Sequence, residues 1–149
     1  MVEVTAQADA LLGSDAVAHV WTTNPDGTPQ VSVVWVIAQG DEISFGTDTA
    51  SQKAKNLRRD NRIVLSIEDT ERNERGFQRH LVVRGRARIH SGPDPELMDR
   101  LAKKYLGLHR HPLALRSVSS IDNTIRLSRR RFLAFWLAEI GRASCRERV

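Results

Sequence analysis

Cysteine is all but missing from this 149-residue chain: Cys145 stands alone, so no disulfide can close within one copy. Aromatic residues are scarce as well, with three Trp, four Phe and a single Tyr. The Arg84, Arg86 and Arg88 row therefore lacks the interleaved stacking side chains that a single-stranded nucleic-acid surface uses, and a solvated strand face explains it as well. Long hydrophobic runs are absent, so no membrane-spanning helix is expected. A basic-then-apolar leader is missing at the N-terminus, which points to a cytoplasmic protein. His109-Arg110-His111 has neither cysteine nor carboxylate partners at ligand spacing, so no metal site is expected. No nucleophile–base pair is evident, and no side chain is assigned a catalytic role.

What remains is an ordinary hydrophobic content of 40% in a length suited to one compact domain. Such a chain buries most of its surface without a disulfide or metal staple. Residues 1–138 read as that domain. The segment 139–149 matches the in-frame translation of a common sequencing-adapter oligonucleotide, and is read as a non-native tail. Residues 140–149 carry three Arg and one Glu, so setting them aside lowers the net charge from +5 to +3. That weakens any argument from charge to nucleic acid, and any redox role for Cys145.

Hydrophobic periodicity predicts mostly strands. Thr5 to Leu12 reads as a short leading helix stopped at Gly13. Val17 to Thr23 is a strand, followed by the turn Asn24-Pro25-Asp26-Gly27. Val31, Val33, Trp35 and Ile37 alternate with Ser32, Val34 and Val36, which predicts one continuous strand with both faces covered. After a turn at Gly40-Asp41, Glu42 to Thr47 alternates cleanly. Ile63, Leu65 and Ile67 mark another strand, with a surface loop expected over Asp69 to Gly76. Leu81, Val83, Gly85, Ala87 and Ile89 share a face, and Gly85 suggests a bulge or a close backbone approach. Pro93 to Leu106 is the clearest helix, with Leu97, Met98, Leu101 and Tyr105 as its stripe and Gly107 as its stop. His109 to Ser120 reads as irregular, Arg129-Arg130-Arg131 as a turn, and Ile121 to Ser128 and Arg131 to Trp136 as final strands. Strands joined by turns, with helices interrupting only rarely, point to an antiparallel barrel.

The segment with most chemical content is Thr47 to Asp60. A hydroxyl-rich turn feeds a helix opened by Ser51, with Lys53 one turn in. Backbone N–H groups and the positive end of the helix dipole would face an anion there, and Lys53 adds a point charge suited to phosphate. The plainer reading makes Ser51 an N-cap and Lys53, Lys55, Arg58 and Arg59 a solvated face. Trp35 likewise has two readings, beside a ligand ring or within the core, and its apolar neighbours favour the core. Trp21 and Trp136 read as core or interface residues.

Six pieces in order carry a family resemblance: Val17-Ala18-His19-Val20, Asp26-Gly27-Thr28-Pro29, Val34-Trp35, Lys53 to Asp60 (KAKNLRRD), Val83-Arg84-Gly85, and Leu101 to Gly107 (LAKKYLG). From about Leu11 to Trp136 the chain resembles the pyridoxamine-5′-phosphate-oxidase-like split β-barrel family, in its flavin- or deazaflavin-dependent oxidoreductase branch. The resemblance implies a mainly β fold, a Greek-key split barrel of six to seven antiparallel strands with short helices. It implies a homodimer with cofactor between the subunits, either coenzyme F420 or FMN, and hydride transfer to a small electron-poor acceptor. A non-catalytic flavin, deazaflavin or haem carrier on the same barrel is the alternative. By position, Gln30, Ser32 and Val34 would flank the ring. Thr47, Ser51, Gln52, Lys53 and Asn56 would hold the phosphate, and Arg79 and His80 would lie near the partner's site. Classical members have arginines where Ser32 and Gln52 stand, which argues against vitamin B6 oxidation. Some deazaflavin-binding relatives have one where Ser51 stands, which leaves Lys53 as the main phosphate charge.

Overall fold

The structure is a computed structural model that describes residues 6–107, 122–128 and 134–140, the last stretch by backbone alone. The expectations for His109 to Ser120, for Arg129 and Arg130, and for 141–149 fall outside the described residues.

The strands are β1 (Ala18–Thr23), β2 (Pro29–Val34), β3 (Ile37–Gln39), β4 (Glu42–Thr47), β5 (Arg62–Arg72), β6 (Gln78–Ser91), β7 (Asn123–Ser128) and β8 (Ala134–Ile140). Helices α1 (Ala6–Gly13), α2 (Gln52–Arg59) and α3 (Pro95–Leu106) interrupt them. All the strand pairings are antiparallel. The path runs β2-β1-β5-β6-β7-β4-β3, with β8 added to β6. Strand β6 is 14 residues long and serves two sheets. Its first half pairs with β5 and β8, and Ala87 to Ser91 pair with β7.

The two ends of this path, β2 and β3, are consecutive in the chain and separated only by Trp35 and Val36. So short a link forces the sheet to curl until its edges meet, which produces the mainly β split barrel expected from the sequence. Inside the curl lie Leu11, Val20, Val36, Ile43, Phe45, Leu65, Ile67, Leu81, Ile125 and Leu127, all buried. They come from alternate positions of β1, β4, β5, β6 and β7, from the link after β2 and from α1, so none of these elements can leave without opening the core.

Several local expectations are corrected. The run Val31 to Ile37 is two strands, because its halves belong to opposite edges of the sheet. Val31 and Val33 are 47% and 58% exposed, so the described residues of this chain leave their face uncovered. Trp35 is half-buried rather than a core residue. Strand β5 continues through the charged segment to Arg72, and only a short turn remains. Asn73 closes that turn, its Oδ1 accepting from the N–H groups of Arg75 and Phe77, while Gly76 takes φ 79°. Backbone pairing needs no apolar side chain at an exposed hairpin, so polarity alone misreads it as loop. Gly85 pairs with Ile63 in unbroken register; the ladder's irregularity lies between Glu68 and Arg72. Gly13 is the last residue of α1 rather than a residue beyond it. Strand β8 runs to Ile140, so Glu139 and Ile140, assigned above to the tail, pair with Arg79 and Gln78.

Leu65 is fully buried on β5, between Val20 and Val83 on the neighbouring strands. Leu65→Ala should cost about 2–5 kcal/mol of stability, since the curled sheet cannot collapse onto the cavity. Urea unfolding should show this as a lower midpoint at unchanged slope.

Candidate functional site

Helix α2 begins as its sequence predicts. Ser51 is the N-cap, its Oγ accepting from the Ala54 N–H at 3.3 Å. The Thr47 and Ser51 hydroxyls meet at 2.9 Å, linking the end of β4 to the cap. Between them Asp48 accepts from the Ala50 N–H at 2.6 Å, and Asp122 takes the Thr49 N–H at 2.6 Å. These contacts set the turn that aims the first helical residues at a pocket of about 360 Å³. Val33, Val34, Trp35, Met98 and Leu101 give it an apolar wall, and Thr47, Asp48, Ser51 and Lys53 a polar one.

Among the described residues Lys53 is the only cation lining this pocket. Among the described residues no hydrogen bond or ion pair holds its ammonium. Burial pushes its pKa down, and the Asp48 carboxylate pulls it partly back. A half-desolvated ammonium beside a helix N-terminus gains from an incoming anion. Asp48 works against that gain, and the sequence reading gave it no role.

Of the expected cofactor contacts, the structure brings Val34, Thr47, Ser51 and Lys53 to this pocket, whereas Gln30, Ser32, Gln52, Asn56, Arg79 and His80 do not line it. Asn56 is fully buried. Its Nδ2 donates to Thr22 Oγ1 and Asn24 Oδ1, both at 3.0 Å, and its Oδ1 accepts from Gln52 Nε2 at 2.9 Å. The amide thus ties α2 to the β1–β2 hairpin. Gln30 Oε1 accepts from the Thr22 hydroxyl of the same hairpin at 3.0 Å. Ser32 Oγ is buried and has no hydrogen-bond partner among the described residues. Arg79 pairs with the buried Asp69 through Nη2 at 2.5 Å. Burial pushes the Asp69 carboxyl up, and the Glu71 N–H and Arg79 outweigh it, leaving the pKa below the usual range. His80 Nε2 lies 3.0 Å from Ser66 Oγ.

The apolar wall is braced from behind. Trp35 stacks on Tyr105 with centroids 5.0 Å apart and planes 5° from parallel. The Tyr105 hydroxyl sits 3.0 Å from Ala16 O and accepts from the Val36 N–H at 3.1 Å. Lys104 Nζ donates to Leu12 O at 2.8 Å and Val36 O at 2.7 Å, and lies 4.9 Å from the Tyr105 ring centroid. Gly107, at φ 67°, ends α3 just beyond. The sequence pattern puts Met98, Leu101 and Trp35 in the core; their place in the pocket wall carries no local signal, because the cavity forms only where residues of α3, β2 and β4 come to surround one space.

Tyr105→Phe leaves the buried Val36 amide without its acceptor and should cost about 1–3 kcal/mol in denaturant unfolding. Burial, offset in part by Asp15, pushes Lys104 from 10.5 down to about 8. Below pH 8 both folded and unfolded states hold the proton, so the burial penalty is fully present. Between about 8 and 10.5 the folded state releases its proton while the unfolded state keeps it, so this group's contribution to stability rises with pH. The stability difference between the wild type and Lys104→Met should therefore shift in favour of the wild type from pH 7.5 to 10 in paired urea titrations.

No curated protein sequence matches this chain. Among solved structures, one described as an F420 reductase superposes with a TM-score of 0.69 at 28% identity, covering 86% of this chain and 94% of that one. A conserved hypothetical protein of Mycobacterium tuberculosis gives 0.66 at 26% identity, covering 91% and 86%. A FAD-binding protein of Mesorhizobium loti gives 0.65 at 16% identity, covering 92% and 96%, a likeness of fold alone. The model of the pyridoxamine 5′-phosphate oxidase family matches residues 4–137. With nearly the whole described barrel inside that match, the chain belongs to the pyridoxamine 5′-phosphate oxidase family.

Proposed function

We propose that this protein is an oxidoreductase that binds reduced coenzyme F420, or alternatively FMN, between the subunits of a homodimer and passes a hydride to a small electron-poor organic acceptor. The observation that carries this reading is the two-sided pocket: an apolar wall with an indole in it, facing hydroxyls, a helix N-terminus and an unpaired lysine. An aromatic ring with a phosphate tail matches both sides. The volume of about 360 Å³ is within the range of small-molecule sites. The F420 reductase likeness and the family membership support the same ligand class.

The bound ring supplies the hydride chemistry. In this reading the chain's own residues bind and orient. Lys53 and the Ser51 and Thr47 hydroxyls grip the phosphate, while Val34, Trp35, Met98 and Leu101 exclude water from the ring. Asn56, Gln52 and Gln30 act one step back, holding α2 and the hairpin in place. Exposed Val31 and Val33 on edge strand β2 adjoin the pocket wall, which favours a second copy covering this face. Arg79 and His80 would then serve the partner's site.

Titration with F420 and with FMN, read by ligand fluorescence, tests the reading. Lys53→Ala should weaken binding by about 1.5–3 kcal/mol, the scale of one charge-assisted hydrogen bond. Asp48→Asn should tighten it by about 0–1 kcal/mol, because it removes the opposing charge. A monomer in light scattering that takes up neither ring system would end the proposal. Turnover of an electron-poor acceptor by loaded protein separates an enzyme from a carrier.

A further inference from the structure

Tyr105 belongs to no expected ligand set, yet it makes the closest ring-to-ring contact among the described residues and reaches two separate parts of the chain, Ala16 and the Trp35–Val36 link. We propose that Tyr105 is a positioning residue: it fixes the plane of Trp35, so that the indole forms a rigid platform for a planar heteroaromatic ring in the pocket. The inference rests on the proposed ligand class and adds what sets the ring's orientation.

The geometry argues for it in steps. Trp35 occupies the two-residue link between β2 and β3, where neither neighbour pairs it into a ladder. Such a residue has no strand to fix its side-chain direction. The Tyr105 ring supplies that direction, lying 5° from parallel at 5.0 Å. Tyr105 is held from swinging, because its hydroxyl accepts from the Val36 N–H at 3.1 Å and its one proton is shared between Ala16 O at 3.0 Å and Val36 O at 3.2 Å. Lys104 clamps Val36 O from the same helix turn. The backbone next to Trp35 and the ring behind it are thus fixed by one turn of α3. On the pocket side, Trp35 stands with Val34, Met98 and Leu101, all apolar, as a flat π surface requires to hold a ring by stacking. A tyrosine serving only stability would not need to lie parallel to a pocket residue.

The test uses full-length protein in a Trp21→Phe/Trp136→Phe background, so that Trp35 is the sole indole. Tyr105→Leu removes the stack, whereas Tyr105→Phe keeps the ring and loses only the hydroxyl. The leucine variant should make Trp35 emission red-shifted and more readily quenched by acrylamide. It should weaken binding of riboflavin, a ring without phosphate, by about 3- to 10-fold, the size of one aromatic pair. The phenylalanine variant should lose stability but hold riboflavin within about twofold of wild type. Unchanged emission and affinity in the leucine variant would overturn the inference, as would equal loss of affinity in both. Should the leucine variant fail to fold, saturating riboflavin must quench Trp35 in the parent background; untouched emission alongside demonstrated binding overturns the platform. If no riboflavin binds at all, the F420 and FMN titrations decide the ligand reading, while the emission comparison decides whether Tyr105 fixes Trp35.

Discussion

Everything in this molecule depends on closing one seam. A single path of strands begins at β2 and ends at β3, and the chain joins those ends with two residues, Trp35 and Val36. A flat sheet cannot satisfy that link, so the barrel curls. The seam is then fastened from outside by the last turn of α3, where Tyr105 and Lys104 take the amide and carbonyl of Val36. A link between two edges would otherwise leave polar backbone groups unpaired, and burying them unpaired is costly. The fastening meets that requirement and at the same time makes the seam a wall of the pocket.

The second constraint is the orientation of α2. Its sequence is strongly basic on one side, but its position is set by a single buried amide. Asn56 uses both ends of its side chain, on Thr22, Asn24 and Gln52, and Arg59 adds bonds to Asn56 Oδ1 and Thr23 O. A buried amide satisfied on both sides holds one geometry, since any shift of the helix would strand a donor or an acceptor. The N-terminus of α2 is therefore presented to the pocket as a fixed feature, with Lys53 lining the pocket beside it.

Family membership and the pocket suit chemistry in which a bound ring does the reacting and the protein supplies place and dryness. The charges agree with that division. Lys53 faces into the pocket against Asp48, whereas Asp69–Arg79 and Arg88–Glu42 pair on the barrel's strands away from it. No helix among the described residues is long and apolar enough to cross a membrane, and no group of three potential metal ligands occurs among them.

Much of this was legible in the residues. Strand alternation, the turn at Asn24 to Gly27, the cap at Ser51 and the helix expected over Pro93 to Leu106, which begins at Pro95 after the Asp94 cap, are local properties, written in side-chain period and backbone preference. So was Lys53 as a candidate anion contact, because its place follows from helix geometry alone. What stayed hidden depends on meetings between distant segments. Asn56 resembles a ligand contact in sequence, and only its 34-residue reach to Thr22 makes it a strut. Trp35 resembles a core residue in an apolar strand, and only the split between two sheet edges turns it toward a cavity. By itself the sequence determined the mainly β architecture and the helix that offers its N-terminus, because periodicity and capping act within a few residues. The tertiary structure alone decided which of those side chains line the pocket, because a pocket is the space left where curled sheet and helix fail to touch.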